Sequence, residues 1–181
     1  GFSCWGLDPV YIAKELAPPG EYFEITIPQA GVDRAKTIKR ELDASGVSIA
    51  LTTAFLPNGV VWDGEGTHVP YAEGLPYLDL FGVTMLRGVC NKGDAPSFST
   101  EVVARHVKQL KSLLPELDKR NLTLAIENHG ESSAVIADMI AQVNSPRVRV
   151  ILDPTNAKLS KEDPADVTRR LLPLTAYVHI K

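Results

Sequence analysis

The sequence predicts an α/β protein in which a parallel sheet is covered by helices. Short apolar, β-branched runs alternate regularly with amphipathic helical patterns. The runs are apolar throughout, as strands buried on both faces are, and do not alternate as half-exposed strands do. A third observation narrows the class: polar side chains recur where these runs end. Glu24, Arg87, Glu127, Asp153 and His179 all sit at or beside carboxyl ends. An open doubly wound sheet usually carries a Gly-rich phosphate loop after an early strand. Here GEGTH, Gly64–His68, follows no convincing strand. Chemistry spread over many strand ends belongs to the closed (β/α)8 barrel, the TIM barrel, and that is the expected architecture.

The elements follow in order. Expected strands are Tyr22–Ile27 (YFEITI), Val47–Thr52 (VSIALT), Val83–Val89 (VTMLRGV), Leu122–Ile126 (LTLAI), Val148–Leu152 (VRVIL) and Ala176–Ile180 (AYVHI). The opening GFSCW reads as the end of another. Asp8-Pro9 and Asp163-Pro164 each pair an N-cap with Pro at the first helical position. A helix over Asp33–Ser45 stops at Gly46, a residue suited to a helix C-terminus. The longest helix, Thr100–Lys119, gathers Val103, Val107, Leu110, Leu114 and Leu117 on one face.

Composition sets outer limits. At 181 residues the chain fits a single domain. A net charge of −3 and a pI of about 5.8 give no electrostatic reason to expect nucleic acid as a partner. No apolar run approaches the ~18 residues of a membrane span, so no membrane partner is expected either. Cys4 and Cys90 are too far apart for a disulfide framework or zinc-knuckle spacing, which makes a reducing, cytoplasmic setting the expectation.

The densest signal is LAIENHG, Leu124–Gly130, an apolar run that ends in a carboxylate, an amide and an imidazole. Twenty-six residues separate Glu127 from Asp153, and twenty-six more separate Asp153 from His179. One strand–helix unit apart in each case, the three side chains are expected at one level around a common mouth. Two carboxylates and an imidazole are the donors that a hard-to-borderline divalent cation accepts. Each residue also has an ordinary reading. Glu127 suits a cap on the following helix, Asp153-Pro154 suits a turn, and a histidine in YVHIK suits a satisfied core position.

ENHG, ILDPTN and YVHIK, in that order, resemble the xylose-isomerase-like barrel superfamily of sugar and sugar-phosphate isomerases and epimerases. EYFEI, with Glu24, resembles the family's second-strand pattern, and GVTMLRG its fourth. The likeness runs from Asp8 to Lys181. It implies that Glu127, Asp153 and His179 bind one divalent metal ion, Mn²⁺, Mg²⁺ or Co²⁺, with Zn²⁺ allowed. Asn156 and Lys181 occupy the accompanying positions. The family's fourth ligand is a Glu on an eighth strand, so the resemblance implies about seven strands here with strand 8 missing, and a domain truncated at both ends.

The implied activity is isomerisation or epimerisation of a small sugar, sugar phosphate or keto-polyol. A proton leaves carbon next to a carbonyl while the metal stabilises enediolate charge. Glu127 would be ligand and acid/base together. The expected substrate contacts are Asn156, His129, Lys181, Glu24 and Arg87, although pairing of Arg87 with Glu24 is the preferred reading of that buried charge. His68, Trp5 and Trp62 suit either a mouth or ordinary loop and packing roles. Cys90 reads as a small buried residue and His106 carries no assigned role. The partner is a small carbohydrate, with a homo-oligomer compatible. Two alternatives stand beside this reading: a dehydratase of inosose or dehydroshikimate type on the same site, and a catalytically silent barrel used for binding.

Overall fold

The computed structural model describes residues 2–3, 22–25, 31–46, 48–52, 60–61, 78–90 and 98–180. Its strands are β1 (Phe2–Ser3), β2 (Tyr22–Ile25), β3 (Ser48–Thr52), β4 (Val60–Val61), β5 (Met85–Val89), β6 (Thr123–Glu127), β7 (Val148–Leu152) and β8 (Thr175–Val178). Its helices are α1 (Gly31–Ala44), α2 (Thr100–Lys119), α3 (Ser133–Val143), α4 (Ala157–Ser160) and α5 (Pro164–Leu171). The chain forms two compact units, Gly1–Val60 with Val69–Leu86, and Val61–His68 with Arg87–Lys181. The expected helix start at Asp8-Pro9 lies outside the described residues.

In the first unit β1 pairs β2 and β2 pairs β3, both in parallel. Helix α1 buries Ala35, Ile38 and Leu42, residues three and four positions apart that share one face. It ends one residue before the expected Ser45. Gly46 follows at φ +67, in the left-handed region that the chain needs to turn out of a helix.

The second unit is an α/β layer in which β5, from Arg87 onward, is followed in strand order by β6, β7 and β8, a partial TIM-barrel-like arrangement. β6 pairs β7 and β7 pairs β8 in parallel. In β6, Leu124 to Glu127 are all buried, the pattern of a strand covered on both faces. Helix α2 spans the expected residues and runs through an exposed Pro115. It buries Val103, Val107, Leu110 and Leu117 as expected and adds His106, which lies against the Phe98 ring, while Leu114 is only half-buried. Among the described residues no helix is long and apolar enough to cross a membrane.

The starts of α2, α3 and α5 are closed by dedicated side chains. Ser99 accepts from Val102 N–H and Ser132 from Val135 N–H, each at 3.3 Å. Asp163 accepts from Ala165 N–H at 2.7 Å and Asp166 N–H at 3.2 Å, as its Asp-Pro pair predicts. Glu162 closes α3 from a different part of the chain, accepting from Ser133 N–H and its hydroxyl at 2.7 Å each. The capping role that suited Glu127 in the sequence is therefore filled by Ser132 and Glu162.

Asp163→Ala is expected to lower stability by ~1 kcal/mol. The check is a lower urea midpoint with an unchanged slope; an unchanged midpoint would show that the cap contributes nothing.

Candidate metal centre

Glu127 is the last residue of β6, Asp153 follows β7 directly, and His179 follows β8 directly. Three successive parallel strands therefore deliver one side chain each from their carboxyl ends. The register differs from the simple expectation of equal phase. In β6 and β7 the Cα partners are 24 residues apart, so Glu127 pairs with Ile151 and Asp153 stands two residues further along. Side chains alternate with a period of two, so a two-residue step keeps both carboxylates on the same face. Between β7 and β8 the register shifts at Val150/Ile151, after which Leu152 pairs with Val178. One residue further on, that pairing sets Asp153 beside His179. His179 N–H donates to Leu152 C=O at 2.9 Å, which carries the ladder to the site. Without the shift, His179 would fall on the opposite parity.

These elements bring one potential donor atom from each of Glu127, Asp153 and His179 within 4.8 Å of one another. Glu127 is 1% exposed. Its Oε2 accepts from Arg87 Nε at 2.5 Å, and Arg87 Nη2 reaches the same oxygen. Its Oε1 accepts from Asn156 Nδ2 at 3.1 Å and lies 3.2 Å from His179 Nδ1. Burial by itself would raise the Glu127 carboxyl. The hydrogen bond with His179 and the Arg87 charge outweigh it and hold the group down at about 2. Glu127 is thus ionised throughout the neutral range.

Asp153 fills the turn role its sequence suggested. Its Oδ1 accepts from Thr155 N–H at 3.0 Å, from Asn156 N–H at 3.3 Å and from the Thr155 hydroxyl, closing the turn that starts at Pro154. The same carboxylate belongs to the three-residue cluster. His179 is mostly covered and stands edge-on to Tyr177, their ring centroids 5.8 Å apart.

Two of the expected substrate contacts are engaged with the cluster itself. Asn156 donates to Glu127, and so does Arg87, while the expected pairing of Arg87 with Glu24 falls on a side chain outside the described residues. Arg87 reaches Glu127 through strand order: β5 neighbours β6, which puts Arg87 beside the residue that ends β6. The Glu24 side chain, Lys181, His68, Trp5 and Trp62 lie outside the described residues.

His129 is half-buried in the loop after β6, and its Nδ1 is buried without a hydrogen-bond partner. Its backbone N–H donates to Glu131 Oε2 at 2.8 Å. Sequence reasoning passed over Glu131, because a carboxylate after ENHG reads as solvated loop. It is 3% exposed, and its carboxyl is raised chiefly by burial, with the Glu127 charge adding to the rise and the hydrogen bonds opposing it. Cys90 is buried, and burial, followed by the charge of Glu131, pushes its thiol well up. That is the setting of an inert thiol, as expected.

The donor set fits a divalent ion. Two carboxylates and an imidazole converge, and the Arg87 guanidinium holds Glu127 at Oε2. The family described as xylose isomerase-like TIM barrel matches residues 13–181. The chain belongs to that family. As a xylose isomerase-like barrel protein it also resembles solved structures over most of its length. One is a xylose isomerase domain protein from Planctomyces limnophilus, at 16% identity and TM-score 0.71, with 96% of this chain and 67% of that one covered. Another is D-psicose 3-epimerase from Clostridium cellulolyticum H10, in a structure with D-tagatose. The identity is 14% and the TM-score 0.70, over 97% of this chain and 68% of the other. A third is AsbF from Bacillus anthracis, a probable 3-DHS dehydratase involved in petrobactin synthesis. It shares 16% identity and a TM-score of 0.69, over 95% and 70% of the two chains. At these identities the likeness is one of fold. None of the curated proteins matches the sequence significantly.

The depressed Glu127 carboxyl has a consequence for acid stability. Its folded value of about 2 lies below the ordinary carboxylate value of 4.5. The stability it contributes is therefore complete above pH 4.5 and is lost as pH falls from there through 2. Arg87→Met should raise the Glu127 pKa and cost ~3–5 kcal/mol at neutral pH, the usual penalty for stranding a buried charge. Carboxyl-carbon NMR titration and urea unfolding check the two halves; an unmoved Glu127 titration would remove Arg87 as its partner.

Proposed function

We propose that this chain carries the metal-binding site of a divalent-metal-dependent isomerase or epimerase of a small sugar, sugar phosphate or related keto-polyol. The observation that supports it best is the convergence of Glu127, Asp153 and His179 within 4.8 Å at three neighbouring strand ends, in a chain of this family. Residues 1–181 are read as belonging to one barrel domain, because one family match spans residues 13–181.

Glu127, Asp153 and His179 would hold one ion, Mn²⁺, Mg²⁺ or Co²⁺, with Zn²⁺ also acceptable to an O,O,N donor set. A divalent ion bound there supplies Lewis acidity, drawing developing negative charge onto substrate oxygens. The chain's own residues do the remaining work. Glu127, ionised and held in one orientation by Arg87 and Asn156, is the candidate base for a proton on carbon next to a carbonyl. The electron pair left behind moves onto the carbonyl oxygen and gives an enediolate, and returning the proton at another position or face completes the exchange. His129 presents a buried ring nitrogen that suits a substrate hydroxyl. Lys181 and Glu24 remain candidates for substrate contact on sequence grounds.

A dehydratase reading stands second, supported by the likeness to the probable 3-DHS dehydratase. It begins with the same proton abstraction and then expels a hydroxyl.

Calorimetric titration of Mn²⁺ is expected to find one site per chain, lost or badly weakened in Glu127→Ala and His179→Ala. Incubation of ketoses and dehydroshikimate in D₂O with Mn²⁺ should then place deuterium on carbon next to the carbonyl, read by NMR. A new C=C signal with loss of water would favour the dehydratase. Mn²⁺ binding indifferent to both substitutions would end the metal-centre reading.

A further inference from the structure

Asn128 stands between Glu127 and His129 in the ENHG motif, yet neither the donor set nor the substrate contacts include it. It is 3% exposed. A buried primary amide must find partners for its donors and acceptor alike. Asn128 Oδ1 accepts from Asp153 N–H at 2.7 Å, and Asn128 Nδ2 donates to Asp153 C=O at 2.9 Å. Its backbone N–H donates to Ile151 C=O at 3.4 Å. The side chain thus grips one residue by both of its main-chain polar groups.

The register gives that grip its meaning. The β6–β7 pairing ends with Glu127 opposite Ile151, so Asp153 lies two residues past the last Cα pair. At that point main-chain pairing no longer fixes its distance from Glu127. The Asn128 side chain acts in place of a missing strand, extending the hydrogen bonding from β6 to Asp153. Meanwhile the Asp153 carboxylate is oriented by its own turn, through Thr155 and Asn156. Main chain and side chain of Asp153 are therefore held by separate contacts, and the Asn128 amide reaches the main chain from the end of β6.

We propose that Asn128 is a positioning residue for the metal centre: its amide sets where Asp153 stands relative to Glu127, and thereby the affinity of the site for a divalent cation. The inference rests on the metal-centre reading above. It requires an amide at this position. A carboxylate of the same shape would turn an oxygen toward the Asp153 carbonyl and lose the donor.

The test titrates Mn²⁺ into wild type, Glu127→Ala, Asn128→Ala and Asn128→Asp, with circular dichroism confirming the fold of each. Wild type should bind one ion and Glu127→Ala none. Asn128→Ala should bind ~10–100-fold more weakly, the range seen when outer partners of metal ligands are removed. The isosteric Asn128→Asp keeps the volume and guards against a misfolded Ala variant. Its extra negative charge would by itself tighten binding, so weaker binding there identifies loss of position. In metal-free protein, hydrogen exchange of the Asp153 amide should be slow in wild type and at least ~10-fold faster in Asn128→Ala, since its acceptor is gone there. Asn128→Asp keeps an accepting oxygen and loses only the donor to the Asp153 carbonyl. Folded Asn128 variants within twofold of wild type, tighter binding by Asn128→Asp, or an unchanged Asp153 exchange rate in Asn128→Ala would overturn the proposal and leave the metal centre standing. Wild type that binds no Mn²⁺ would overturn the metal centre and this inference together.

Discussion

A carboxylate that is 1% exposed has to be compensated where it stands, and Glu127 imposes that requirement on everything around it. The compensation comes from three elements. Arg87 arrives from β5, Asn156 from the turn after β7, and His179 from the end of β8. Each can reach only because β5 and β7 flank β6 and β8 follows β7 in the parallel layer. The balance between desolvation and pairing is settled in favour of the charge, as the depressed carboxyl shows. Such a pair contributes little net stability against an apolar alternative, yet removing one partner is severe. Retaining an anion at this depth makes sense for a site that binds a cation.

The surrounding structure keeps the cluster from being consumed by ordinary structural duties. The start of α3 is closed by Ser132 and by Glu162, itself paired with Arg170, so Glu127 is not drawn into capping. Asp153 is the exception, closing its own turn through Oδ1 while belonging to the cluster. The loop between β6 and α3 is held from within by the Glu131–His129 contact. Its two buried, unpartnered polar atoms, His129 Nδ1 and Glu131 Oε1, make it the polar part of the loop beside the cluster.

The sequence by itself determined a great deal. Strand–helix alternation, the Asp163-Pro164 cap and the extent of α2 follow from local propensities and patterning, which act over a few residues and are written there. The three residues of the cluster were legible for a similar reason: each terminates an apolar run, and the interval between them is one strand–helix unit. ENHG, ILDPTN and YVHIK together were enough to point to the family.

Only the tertiary structure decided how those residues meet. That Arg87 reaches Glu127 is a matter of which strands are neighbours, and no local pattern encodes that. The two-residue stagger between β6 and β7, and the register shift that brings His179 into phase with Asp153, depend on how strands slide against one another. Glu131 is buried and Asn128 is committed to Asp153 for the same reason. Burial and hydrogen-bond partners arise from contacts between segments remote in sequence, and an isolated loop composition cannot express them.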